Sequence, residues 1–168
     1  MSEYGKSCCF TGHRPQKLPW GYNELDPRCL AFKAKLAAVI KAVYESGIKH
    51  FICGMALGCD MYCAEAVIEL RKSFDDITLE AAVPYDGPDA KWSEQNRRRY
   101  CGILMQCDTT TLIQDAYTPS CMMRRNKYMV DNSNVLIACY NGSSGGTWNT
   151  VRYAMEKDIE IIQVEIEI

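Results

Sequence analysis

Four short stretches hold the residues that could do chemistry: "TGHRP" at 11–15, "GMALGCD" at 54–60, "RRNK" at 124–127 and "NGSSGGT" at 141–147. Each combines types that suit an anion. Glycines let a ligand come close to the backbone, arginine forks onto phosphate, and hydroxyls and backbone amides donate hydrogen bonds. In the first stretch Gly12, His13 and Arg14 follow one another. In the second, Gly54 and Gly58 could turn backbone N–H groups toward an anion. Asp60 would then cap the following helix or accept from a ribose hydroxyl. In the third, Arg125 and Asn126 could face the glycine-rich loops and neutralise a diphosphate. In the fourth, Gly142, Ser143, Ser144, Gly145, Gly146 and Thr147 run directly into a helical pattern, and amides, hydroxyls and a helix N-terminus together suit phosphate. The spacing is neither GxGxxG nor GxxxxGK[ST], so no dinucleotide fingerprint and no Walker A loop is read.

Regular elements must hold these stretches. "KSCCF", "KHFIC", "ITLEAAVP", "TTTLIQ", "NVLIACY" and "IEIIQVEI" read as strands. Between them lie helical patterns. "RCLAFKAKLAAVIKAVYES" repeats Leu36, Val39, Ile40, Val43 and Tyr44 at helical spacing, with Gly47 as its stop. "MYCAEAVIELRKSF" puts Cys63, Val67 and Leu70 on one face, and Ser93 is placed to cap "WSEQNRRRYCGILMQC". "SCMMRRNKYMVDNS" and "GTWNTVRYAMEK" complete the set. Strands alternating with helices predict an α/β fold, a Rossmann-like three-layer sandwich around a mostly parallel sheet. In such a sheet ligands gather beyond the carboxyl ends of the strands. Three of the four stretches follow strands, and the fourth lies on the helix leading into "NVLIACY". The longest loop, "TGHRPQKLPWGYNELDP", also follows a strand. So does "VPYDGPDAKW", where Tyr85 could lie over a flat ligand or simply pack. Trp148 could stack on a base, with core packing as its other reading. "RRR" at 97–99 reads as a solvated basic face.

The bulk numbers narrow the classes. One domain over 1–168 suits the length, and 48% hydrophobic residues can build a core. The net charge of −2 gives no basic field for nucleic acid. No apolar run is long enough to span a membrane, and the first residues lack the pattern of a signal peptide, so a cytoplasmic address is expected. The 10 cysteines form no paired CxxC knuckles. Cys59 and Cys63 could share a ligand, but zinc needs two more partners. Reduced thiols packed as small hydrophobes are the expectation, with no metal and no cofactor.

Taken in order, "CCFTGHRP", "GMALGCD" and "RRNKYMVDNSNVLIACYNGSSGGT" resemble the SLOG superfamily, named for DprA/Smf and LOG (Lonely Guy) proteins, and within it the YpsA-like proteins. The resemblance spans nearly the whole chain. It implies a Rossmann-like domain that binds or senses a nucleotide or nucleotide derivative such as ADP-ribose, NAD or a nucleoside phosphate, with a link to cell division or stress. By position, Arg125 takes the place of the LOG arginine, and Gly145, Gly146 and Thr147 that of the phosphate loop. The chain departs from LOG phosphoribohydrolases in having Thr150 where they carry a glutamate, Asn126 where they carry a lysine, and no proline in the loop. A LOG-like hydrolase of an N-glycosidic or phosphate bond, the first alternative, would need His13 or Asp60 as its acid or base. The second alternative is a DprA-like single-stranded DNA-binding protein. It finds no clear basic groove with stacking aromatics, so nucleic acid stands outside the expected partners. A homodimer is expected because the resembling families often associate.

Overall fold

The computed structural model describes residues 4–167. Six strands alternate with five helices: β1 (Ser7–Gly12), α1 (Pro27–Glu45), β2 (His50–Cys53), α2 (Cys59–Arg71), β3 (Thr78–Val83), α3 (Glu94–Gln106), β4 (Thr109–Leu112), α4 (Cys121–Asp131), β5 (Val135–Tyr140), α5 (Gly146–Glu156) and β6 (Glu160–Glu165). All neighbouring strands pair in parallel, in the order β4-β3-β2-β1-β5-β6. This is the expected Rossmann-like layout. No helix among the described residues is long and apolar enough to cross a membrane.

The side-chain alternation of the strands divides the core in two. Cys8, Phe10, Phe51, Cys53, Leu79 and Ala81 face α1, α2 and α3. Cys9, Ile52, Ala82, Leu136 and Ala138 face α4 and α5. Because both faces are covered, the central strands read as continuous apolar runs. β6, at one edge, keeps its partly exposed pattern. Cys8, Cys9, Cys53 and Cys139 are buried core thiols, as are Cys59 and Cys63. Trp148 packs into the α4–α5 core.

The helix ends follow local chemistry. Asp26 caps α1 by accepting from the Arg28 N–H at 2.8 Å, with Pro27 in the first position, where its missing N–H costs no bond. Gly47, at φ +108°, follows the end of that helix. Ser93 caps α3 through the Asn96 N–H at 3.2 Å. One expectation needs correction. Of the arginines at 97–99, Arg97 and Arg98 have side chains 55% and 78% exposed, but that of Arg99 is only 25% exposed. Arg99 donates to Glu24 at 2.5 and 2.9 Å and to Glu65 on α2, and Lys33 reaches the same Glu24 at 2.7 Å. This knot ties down the long segment between β1 and α1, as does the hydrogen bond from Trp20 Nε1 to the Tyr62 hydroxyl, 3.1 Å. The segment thus runs across the carboxyl end of the sheet as a fixed strap.

Candidate functional site

The sheet has one switch point. β1 has β2 on one side and β5 on the other, so the winding direction reverses between them. A crevice opens beyond the carboxyl ends of two such strands. Here it is a cleft of about 240 Å³. Gly12, His13 and Arg14 line it from the end of β1, and Gly146 and Thr147 from the start of α5. Arg125 and Asn126 reach it from α4, and Asp60 from α2. The four stretches singled out in the sequence therefore converge.

They do not contribute equally. Gly145, at φ +137°, turns the chain into α5, so Gly146 and Thr147 occupy the first helical turn. N–H groups there have no carbonyl partner within the helix and carry its positive end. Gly142, Ser143 and Ser144 do not line the cleft. They shape the approach instead, the Ser143 N–H donating to Asn141 Oδ1 at 3.0 Å. Sequence reasoning missed Lys17. Its Nζ donates to the Ser144 carbonyl at 3.1 Å, and it lines the cleft beside α5. A side chain at Gly145 would put its Cβ 2.5 Å from that ammonium. The only signal was Pro15, which starts the short turn Pro15–Lys17 and so folds residue 17 back over the strand end.

The corner "GMALGCD" has a different part from the one expected. Gly58, at φ +90°, stands behind the cleft, and a Cβ there would lie 2.7 Å from the His13 carbonyl oxygen. That carbonyl accepts the Cys59 N–H at 3.1 Å, which uses an amide of the α2 terminus within the fold. Gly54 lies against both Asp60 and Arg125: a Cβ there would lie 2.9 Å from Asp60 Oδ2 and 3.0 Å from Arg125 Cζ. Asp60 does not cap its helix through its side chain. It accepts from the Ala56 N–H at 3.1 Å. Burial pushes its carboxyl pKa up, against the pull of Arg125. Both glycines therefore serve close approach, and the carboxylate faces a buried guanidinium.

Arg125 is 4% exposed. It donates to the Gly54 carbonyl, and its Nε donates to Asn126 Oδ1 at 2.8 Å. The Asn126 amide donates to Thr150 Oγ1 at 2.9 Å, and that hydroxyl donates to the Gly146 carbonyl at 3.1 Å. Residues 126 and 150, two of the three departures from the LOG pattern, thus link the buried arginine to the first turn of α5.

His13 is a clasp between loops. Its Nε2 lies 3.1 Å from Asn141 Oδ1, and its ring meets Tyr140 edge-on at 6.0 Å. Burial lowers its pKa below the ordinary value of 6.5. The folded protein therefore resists a proton that the unfolded chain accepts, and stability falls as pH drops below about 6.5. We expect the melting temperature of a His13→Gln variant to fall less than that of the parent between pH 7.5 and 5.5. Equal slopes in thermal denaturation would remove His13 as a source of the pH dependence.

A second hollow of about 300 Å³ adjoins the cleft and shares Arg14, Gln16, Ala56 and Arg125 with it. Gly54, Tyr85 and Trp92 line it.

Comparison with known proteins identifies the family and the fold. Residues 8–168 match the family described as "YspA SLOG family". The SPbeta prophage-derived protein YoqJ of Bacillus subtilis (strain 168) is 32% identical over 142 residues, covering 77% of this chain and 83% of that protein. A UPF0398 protein of Bacillus pumilus (strain SAFR-032) is 26% identical over 144 residues, covering 84% of this chain and 77% of the relative. Among solved structures, DNA processing protein A from Helicobacter pylori, described for its single-stranded DNA binding mode, superposes with a TM-score of 0.60 at 13% identity. The superposition covers 94% of this chain and 64% of that one, and the likeness is one of fold.

Proposed function

The chain belongs to the YspA SLOG family, and on that premise we propose that it binds a nucleotide or nucleotide derivative, its phosphate held against the first turn of α5. The observation that carries this reading is the meeting of Lys17 with the loop just ahead of that turn, at Ser144 and Gly145, in a cleft that also holds Arg14 and Arg125. Backbone amides supply direction and the cations supply charge, as phosphate recognition needs. ADP-ribose, NAD and the nucleoside phosphates all present this chemistry.

Gly146 allows a clean test. It lines the cleft, and a Cβ there would meet nothing within 4 Å. Gly146→Val should fold normally and obstruct the ligand. We expect calorimetric titration with ADP-ribose, NAD and the nucleoside monophosphates to find a ligand that Gly146→Val no longer binds. Lys17→Ala should bind that ligand about tenfold more weakly, as loss of one charged hydrogen bond predicts. Parental affinity in both variants would refute the assignment.

A second reading, hydrolysis of an N-glycosidic or phosphate bond, rests on the Asp60 carboxylate in the same cleft, whose raised pKa suits an acid. Chromatography of the bound ligand after incubation decides between them: an intact ligand supports binding alone, and release of base or phosphate supports turnover. Single-stranded DNA would present the same phosphates, and a mobility shift that weakens steeply with salt would identify it.

A further inference from the structure

The second hollow differs in chemistry from the first. Both share Arg14 and Arg125, but the first adds Lys17 and the start of α5, whereas the second adds aromatic and apolar side chains. Tyr85 and Trp92 come from the β3–α3 loop, Tyr22 from the strap, Pro84 from the end of β3 and Met122 from α4. Tyr85 and Trp92 pack edge-on against Tyr117 and Tyr100, each pair 5.5 Å between ring centroids. Tyr22 is 61% exposed. The Gln16 amide, which donates to the Tyr22 hydroxyl at 3.4 Å, brings a donor and an acceptor to the rim.

The two hollows adjoin, with Arg14, Gln16, Ala56 and Arg125 in the walls of both. Volumes of about 240 and 300 Å³ each fall at or below the lower end of small-molecule sites, and joined they lie within that range. Met55, buried in the wall of the second hollow, is held at φ +65°, a left-handed conformation uncommon outside glycine. Such strain collects at ligand clamps. It turns the chain so that the next residue, Ala56, lines both hollows.

We propose that the second hollow seats the nucleobase of a ligand whose phosphate lies against α5, so that the ligand class is a base-bearing nucleotide and not a bare sugar phosphate. This rests on the phosphate reading above. The ribose then crosses the junction beside Arg14 and Arg125, and the base lies among Tyr22, Tyr85 and Trp92, where any base can stack.

The test compares ribose 5-phosphate with the four nucleoside 5′-monophosphates by calorimetry, on the parent chain and on Tyr22→Ala and Tyr85→Ala. Tyr22 is exposed enough to be removed without disturbing the core, so at least one variant keeps its fold. At least one nucleotide should bind the parent about tenfold more tightly than ribose 5-phosphate, the scale of one base–aromatic stack. The variants should lose that advantage and keep the parental affinity for ribose 5-phosphate. Equal affinity of the parent for nucleotides and ribose 5-phosphate would overturn the base seat and leave the phosphate site standing, as would equal weakening of both by the variants. Absence of binding by all five ligands, and by ADP-ribose and NAD in the same titrations, would overturn the phosphate site, and the base seat with it.

Discussion

Gly58→Ala is expected to lower the unfolding free energy by about 3 kcal/mol or more, a large part of the stability of an ordinary domain. Two causes add. Gly58 sits at φ +90° and ψ −130°, a region open in practice only to glycine, and the backbone strain alone costs about 1–3 kcal/mol. The new Cβ would also lie 2.7 Å from the His13 carbonyl oxygen and 3.0 Å from the Arg14 Cα. Those are backbone atoms, so no rotamer change relieves the contact. The carbonyl is itself held by the Cys59 N–H, and retreat would break that bond. Gly102→Ala is the control. Gly102 lies inside α3 with nothing within 4 Å of a Cβ, so alanine there should stabilise by about 0.5–1 kcal/mol. Urea titration of both variants reads the difference. A Gly58→Ala midpoint equal to that of the parent would show that α2 does not depend on this approach to the first loop.

How much of this was legible in the chain depends on the range of the interaction. The order of strands and helices follows from periodicity and local caps, signals contained within a dozen residues. "CLAFKAKLAAVIKAVYE" shows its buried stripe, and Ser93 caps the residue three positions ahead. The convergence of the four stretches was also readable, because alternating strands and helices place the ends of parallel strands on one side. What each residue does there was not. Gly58 looks like a loop glycine until His13, 45 positions away, lies against it. Lys17 and Ser144 meet across 127 positions, and neither carries a local mark of the meeting. Three arginines in a row are alike in sequence, yet each step along a helix turns the side chain by about 100°. That rotation sends Arg99 to Glu24 and leaves Arg98 in solvent. Asn126 and Thr150 read singly as losses from a catalytic pattern. Only the fold pairs them, at 2.9 Å.

The same long-range logic makes Arg125 the side chain with the second large expected effect. Arg125→Met keeps much of the length and apolar stem but removes the charge opposite Asp60. Asp60 would remain buried with the Ala56 N–H as its hydrogen-bond donor. The Gly54 carbonyl would also lose its donor. Breaking a buried ion pair by removing one partner costs about 3–5 kcal/mol; Asp60 and Arg125 meet across Gly54 with no hydrogen bond between them, which puts the expectation at the low end, about 3 kcal/mol. The pH dependence identifies the cause. Arg125 is what pulls the Asp60 pKa back down against burial, so its removal raises that pKa further. A carboxyl with a raised folded pKa favours the folded state fully below its unfolded value, and that stability is lost as pH rises through the folded pKa. The deficit of Arg125→Met should therefore be smaller at pH 5 than at pH 8. Adding Asp60→Asn, which leaves an oxygen for the Ala56 N–H and carries no charge, should recover part of the loss and flatten the pH profile. A double-mutant cycle by urea titration measures the coupling. Strictly additive losses, equal at both pH values, would mean that Arg125 holds the fold through its hydrogen bonds and packing alone. The electrostatic account of the Asp60–Gly54–Arg125 corner would then be wrong.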